Sequence, residues 1–123
     1  MEPTRLVIID DHDDVREALE ARLGAARGID VVGCTGCWRT GLDLALASEP
    51  DVVLLETKRT DGEGLAAMDC FLDQCPCAAV MVLTSYVDVQ ERAYARSRGV
   101  VRYLLKDIDT AQLVREIQSL TGE

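Results

Sequence analysis

Five times along this chain a short run of nearly continuous aliphatic residues is followed by an amphipathic segment, and that alternation restricts the fold more than any other feature. Residues 6–10, 31–34, 52–55, 79–84 and 101–105 read as strands. Residues 15–25, 40–47, 65–72, 88–98 and 110–120 read as helices, the first with Val15, Leu19 and Leu23 on one face. Pro50 and Pro76 separate helices from the strands that follow them, and Gly99 ends the fourth helix. Strands without polar alternation are buried on both faces, which calls for a parallel sheet covered by helices on either side. Right-handed crossovers then give a doubly wound, five-stranded α/β fold of flavodoxin-like order 2-1-3-4-5. At 123 residues and 48% hydrophobic content, the chain is sized for one domain, 1–123, around one core, with no output domain within it.

In that order the first and third strands lie side by side at the switch point, where ligands bind beyond the carboxyl ends. The first strand runs into Asp10-Asp11 and the third into Glu56, so three acids converge there. Ionised carboxylates in one pocket repel and need a compensating cation. Mg²⁺ suits an all-oxygen site, and a lysine suits it as a point charge. Lys106 follows the last strand, and Thr84 with Ser85 ends the fourth, at the same edge. Acids, hydroxyl and lysine at four strand ends form a constellation for handling a phosphoryl group.

Other features restrict the function classes. A formal charge of −9 argues against direct nucleic-acid binding, because affinity for a phosphate backbone rests on Lys and Arg. No apolar stretch approaches the roughly 20 residues of a membrane span, so a cytoplasmic protein is expected. The five cysteines read as reduced thiols serving as small apolar filler, and Cys34 with Cys37 is too weak a pattern to indicate metal or redox chemistry. One of Asp11, Asp13 and Asp14 is expected to cap the first helix. Trp38 is expected in the loop after the second strand, as a partner contact or a local lid. His12 carries no assigned chemistry.

Across its whole length this pattern resembles the receiver domain of bacterial response regulators, the CheY-like fold, and DDHDDVREAL resembles the opening of the NarL/FixJ subgroup. The resemblance implies a metal site for Mg²⁺ formed by Asp10, Asp11, Glu56 and the backbone carbonyl of Lys58. It places Glu56 at the phosphoacceptor position, Thr84, Ser85 and Lys106 around the phosphoryl group, and Tyr103 as the aromatic that rotates on activation. The compensating charge is expected from Mg²⁺ or, alternatively, from the ammonium of Lys58.

One loop departs from the receiver pattern. Glu56 stands where receivers use Asp, Arg59 where an apolar residue is common, and Thr60 where proline is usual. The longer acid projects its carboxylate on the order of 1.5 Å further. In-line phosphoryl transfer is mostly positioning, and such a displacement can cost about 100-fold. Glu56 is therefore expected to be a poor phosphoacceptor and to reach toward Lys106 or Thr84, mimicking the phosphorylated state. Function then follows as signalling, not turnover. The domain would act through protein partners, whether a second copy, an output domain or a signalling protein, to control transcription. A small-ligand-binding pseudo-receiver is the alternative. A phosphate-handling enzyme on the same fold is disfavoured: a flavin or nucleotide enzyme needs a phosphate-binding loop where DDHDDV is acidic and lacks glycine, and of the receiver-like phosphatase pattern only the spacing of Asp11 and Asp13 is present.

Overall fold

The computed structural model describes residues 2–121. Five strands, β1 (Thr4–Ile9), β2 (Ile29–Thr35), β3 (Val52–Leu55), β4 (Ala79–Thr84) and β5 (Arg102–Leu105), form one parallel sheet in the order β2-β1-β3-β4-β5. They alternate with α1 (Asp13–Gly24), α2 (Trp38–Ser48), α3 (Gly64–Gln74), α4 (Val89–Arg98) and α5 (Thr110–Ser119). The doubly wound fold expected from the sequence is the one observed.

Because successive residues of a strand face opposite ways, the aliphatic runs split between two core layers. Val7, Ile9, Val53, Leu55, Val80 and Val82 pack against α2, α3 and α4, chiefly through Trp38, Met68, Phe71 and Ala95. Leu6, Ile8, Val52, Leu54, Met81 and Leu83 pack against α1 and α5 through Leu19, Leu23, Leu113 and Ile117. Each fully buried large side chain contributes on the order of 1.5–3 kcal/mol.

Several local expectations are corrected. β2 extends two residues earlier and one later than its aliphatic run, past a register shift opposite Leu6 and Val7. No aspartate caps α1. His12 occupies the cap position and makes no side-chain capping bond, its ring lying against Asp10, while the Asp11 carboxylate is taken by Thr60 and that of Asp13 by Arg16. Trp38 is neither lid nor exposed contact: it opens α2, is 5% exposed, and belongs to the core. Of the cysteines, Cys37 and Cys77 are exposed, so the filler reading holds only for the partly buried Cys34, Cys70 and Cys75.

Candidate functional site

At the carboxyl edge of the sheet, β1 and β3 deliver Asp10 and Glu56 side by side, 2% and 1% exposed. Their backbones continue the ladder, with the amide of Glu56 donating to the carbonyl of Ile9 at 2.9 Å. Lys106, just beyond β5, sends its Nζ to Asp10 Oδ2 at 2.6 Å and to Glu56 Oε1 at 2.5 Å. These are ion pairs at angles poor for hydrogen bonding, since neither oxygen nor the ammonium makes a directed hydrogen bond. A cation is thus already in place between two buried carboxylates. Its value lies in compensation, because a buried pair broken on one side leaves a charge that neither water nor protein stabilises.

The other oxygens are engaged locally. Glu56 Oε2 accepts from the Lys58 amide at 2.6 Å, folding the long side chain back over its own loop. Asp10 Oδ1 accepts from the backbone amide of His12 at 2.9 Å and lies 3.0 Å from His12 Nδ1. Asp11 gives its Oδ2 to Thr60, accepting from both the amide and the hydroxyl at 2.7 Å, while its Oδ1 lies 3.4 Å from the same His12 Nδ1. Burial pushes the Asp11 carboxyl up, but the two Thr60 bonds and the charges of Arg59 and His12 outweigh it and hold it below the usual carboxylate value. Thr84 ends β4 fully buried, its Oγ1 without a hydrogen-bond partner. Ser85 is exposed beside it.

A second network adjoins the first. Lys58 does not serve the acid pocket with its ammonium. It bonds Asp88 at 3.1 Å and Glu91 at 3.0 Å, and lies 5.1 Å from the centre of the Tyr86 ring. Burial disfavours its charge, but the bonds to Glu91 and Asp88 prevail and raise its pKa above the ordinary lysine value. The other oxygen of Glu91 accepts from Thr57 Oγ1 at 2.6 Å and from the Tyr103 hydroxyl at 2.7 Å. The rest of the loop is anchored by Arg59, whose buried guanidinium bonds Asp61 and the carbonyl of Gly36. Trp38 Nε1 donates to Glu63 Oε1 at 2.9 Å, just before α3.

Residues 6–118 match the pattern of the response regulator receiver domain. The chain belongs to that family. Among curated relatives it is 31% identical over 116 residues to the DNA-binding transcriptional activator DevR/DosR of Mycobacterium tuberculosis, covering 94% of this chain and 54% of that protein. It is 28% identical to the nitrate/nitrite response regulator protein NarL of Escherichia coli K12, over 99% of this chain and 57% of that protein. The receiver therefore spans little more than half the length of these relatives. A LuxR-family two-component response regulator from Aurantimonas superposes with a TM-score of 0.87 at 24% identity, covering 99% of this receiver and 88% of that chain. The response regulator domain of Thermotoga maritima CheB gives 0.86 at 17%, covering 99% and 98%. At these identities the likeness is one of fold. Among the described residues, no helix is long and apolar enough to cross a membrane.

The receiver brings Asp10, Glu56 and Lys106 together as the sequence suggested, and places Thr84 at the same edge. It does not bring the Lys58 ammonium to them, and it connects the Asp11 carboxylate to Asp10 through His12, whose Nδ1 lies 3.4 Å from the one and 3.0 Å from the other. Asp10, His12 and Glu56 each offer a ligand atom within 4.8 Å of the others. Buried carboxylate oxygens without hydrogen bonds are suitable donors for a hard dication, so Asp10 and Glu56 fit Mg²⁺ provided Lys106 yields the space between them. Thr57, Asp88 and Glu91 are not among the site residues expected from the sequence, and Thr60 is marked there only as a departure from the usual proline, not as the partner of Asp11. For Asp88 a signal existed: Asp-x-x-Glu before a helix predicts the bond from the Glu91 amide to Asp88 Oδ1, seen at 3.0 Å. The Glu91 side chain departs from that capping pattern to reach Thr57, Lys58 and Tyr103.

Proposed function

We propose that this receiver signals without being phosphorylated in the usual way, with Glu56 standing in for a phosphorylated acceptor. One observation carries the reading: Lys106, the cation expected to pair with a phosphoryl group, is held at 2.5 Å by the Glu56 carboxylate itself. The longer side chain extends its charge to the lysine, and its other oxygen is tied to the Lys58 amide, so no acceptor oxygen points freely outward. Mg²⁺, if bound through Asp10 and Glu56, would neutralise charge there, with the Asp11 carboxylate and the Lys58 carbonyl the further donors that the family pattern implies. The output is protein contact, not turnover: a second copy, an output domain or another signalling protein reads the surface, in the cytoplasm, toward control of transcription.

The test is incubation with Mg²⁺ and acetyl phosphate followed by intact mass, for the wild type and for Glu56→Asp, with oligomeric state measured alongside. The wild type should gain no phosphate while the aspartate form gains one, labile to hydroxylamine. Ready phosphorylation of Glu56 itself would overturn the reading. A ligand-binding pseudo-receiver has one feature in its favour, a cavity of about 290 Å³ at the opposite end of the sheet, lined by Leu46, Pro50, Cys75, Pro76 and Cys77 among others.

A further inference from the structure

We infer that Glu91 is the positioning residue through which the state of the Glu56 loop reaches α4 and β5, along a continuous chain of bonds that passes through Lys58. The inference rests on the reading that unphosphorylated Glu56 sets the loop.

The chain begins where Glu56 Oε2 holds the Lys58 amide at 2.6 Å. Four residues make it, and Lys58 has one end in each network: its backbone is fixed by Glu56 and its ammonium by Glu91 at 3.0 Å. From Glu91 the next bond is the Tyr103 hydroxyl at 2.7 Å, on the strand beside β4. Thr57 adds a second tie from the same loop at 2.6 Å. The Glu91 side chain is only 9% exposed, so its carboxylate relies on these donors in place of water. Charge-assisted bonds of this length in a partly dehydrated setting are the strong kind. Burial and then the Glu91 bond push the Tyr103 phenol up to about 12, in keeping with a hydroxyl held as a donor.

The more direct route, from the pocket through Thr84 to the tyrosine, is not made. Thr84 Oγ1 has no hydrogen-bond partner, and the tyrosine hydroxyl is spent on Glu91. Releasing the Glu56 carboxylate from the Lys58 amide would let the loop turn relax and draw the ammonium from Glu91. Glu91, freed from the lysine, would then be able to turn from Tyr103, leaving the 3.4 Å bond from the Asp88 amide as the tyrosine's tie to the start of α4.

Spatial continuity alone does not establish coupling, so the test measures transmission. In the whole chain, amide ¹H–¹⁵N shifts are compared between wild type and Glu56→Gln, then with the same substitution introduced into Lys58→Met and into Glu91→Gln. The expected result is that Glu56→Gln shifts the amides of residues 57–59, 91 and 102–105 in the wild-type background. In either second background the changes at 102–105 should fall several-fold while those at 57–59 persist. Equal transmission in all backgrounds, or none to 102–105 in the wild type, overturns the inference. Should Glu91→Gln fail to fold, Tyr103→Phe removes the bond to Glu91, together with the longer one from the Asp88 amide, and should reduce the response at 102–105 in the same way. Phosphate uptake is read separately by mass, so failure of the phosphorylation reading and failure of the relay are distinguishable.

Discussion

One lysine carries the charge balance of the site. With Lys106 replaced by methionine, Asp10 and Glu56 would remain buried, their side chains 3% and 0% exposed, with no cation between them. Removing one partner of such a pair costs roughly 3–5 kcal/mol, so urea denaturation of Lys106→Met at neutral pH should show a loss of that order. Adding Glu56→Gln should restore part of it by removing one of the stranded charges. Tyr103 offers a second measurement. Its phenol is raised to about 12, while an unfolded tyrosine titrates near 10. Between these values the folded protein keeps a proton that the unfolded chain has released, so the stability from this group is complete below about pH 10 and is lost as pH rises toward 12. Ultraviolet titration should show a late tyrosine step, and Glu91→Gln should move that step back toward the ordinary value.

Among the elements, α4 differs from its neighbours in how it is held. Ala95 is its one buried residue, and its remaining ties are polar: Arg98 to Asp69 and Asp73, Tyr94 to Asp69, and Glu91 to the loop and β5. A helix with so little apolar anchorage responds to changes in a few bonds, the property required of a readout surface. By contrast, the start of α3 is fixed by close approach. A Cβ on Gly64 would lie 1.9 Å from the carbonyl oxygen of Thr57, a backbone atom that can yield only if the loop moves. Gly64→Ala should therefore cost about 1–3 kcal/mol, the usual penalty of overpacking, and should disturb the amides of Thr57 and Lys58 more than those of α5. Thermal unfolding and amide shifts would check both parts.

For the molecule as a whole, the sheet order and the meeting of Asp10, Glu56 and Lys106 were legible in sequence because both follow from aliphatic runs and strand ends. The rest was hidden for physical reasons. Nothing in the order of residues shows that Thr60 takes the Asp11 carboxylate, or that Lys58 turns toward α4 instead of the acids, since these choices depend on side chains brought together from distant segments. Trp38 was misread for a similar reason: a residue after a strand and beside Cys37 looks like loop until the helix starts there. Its correct placement has a practical consequence. The only indole in the chain is buried and shares a bond with Glu63, the residue that leads the divergent loop into α3. The protein therefore contains its own optical probe. A rearrangement of the 56–63 segment that broke this bond would change the polarity around the ring, so intrinsic fluorescence can follow the loop in real time without a label.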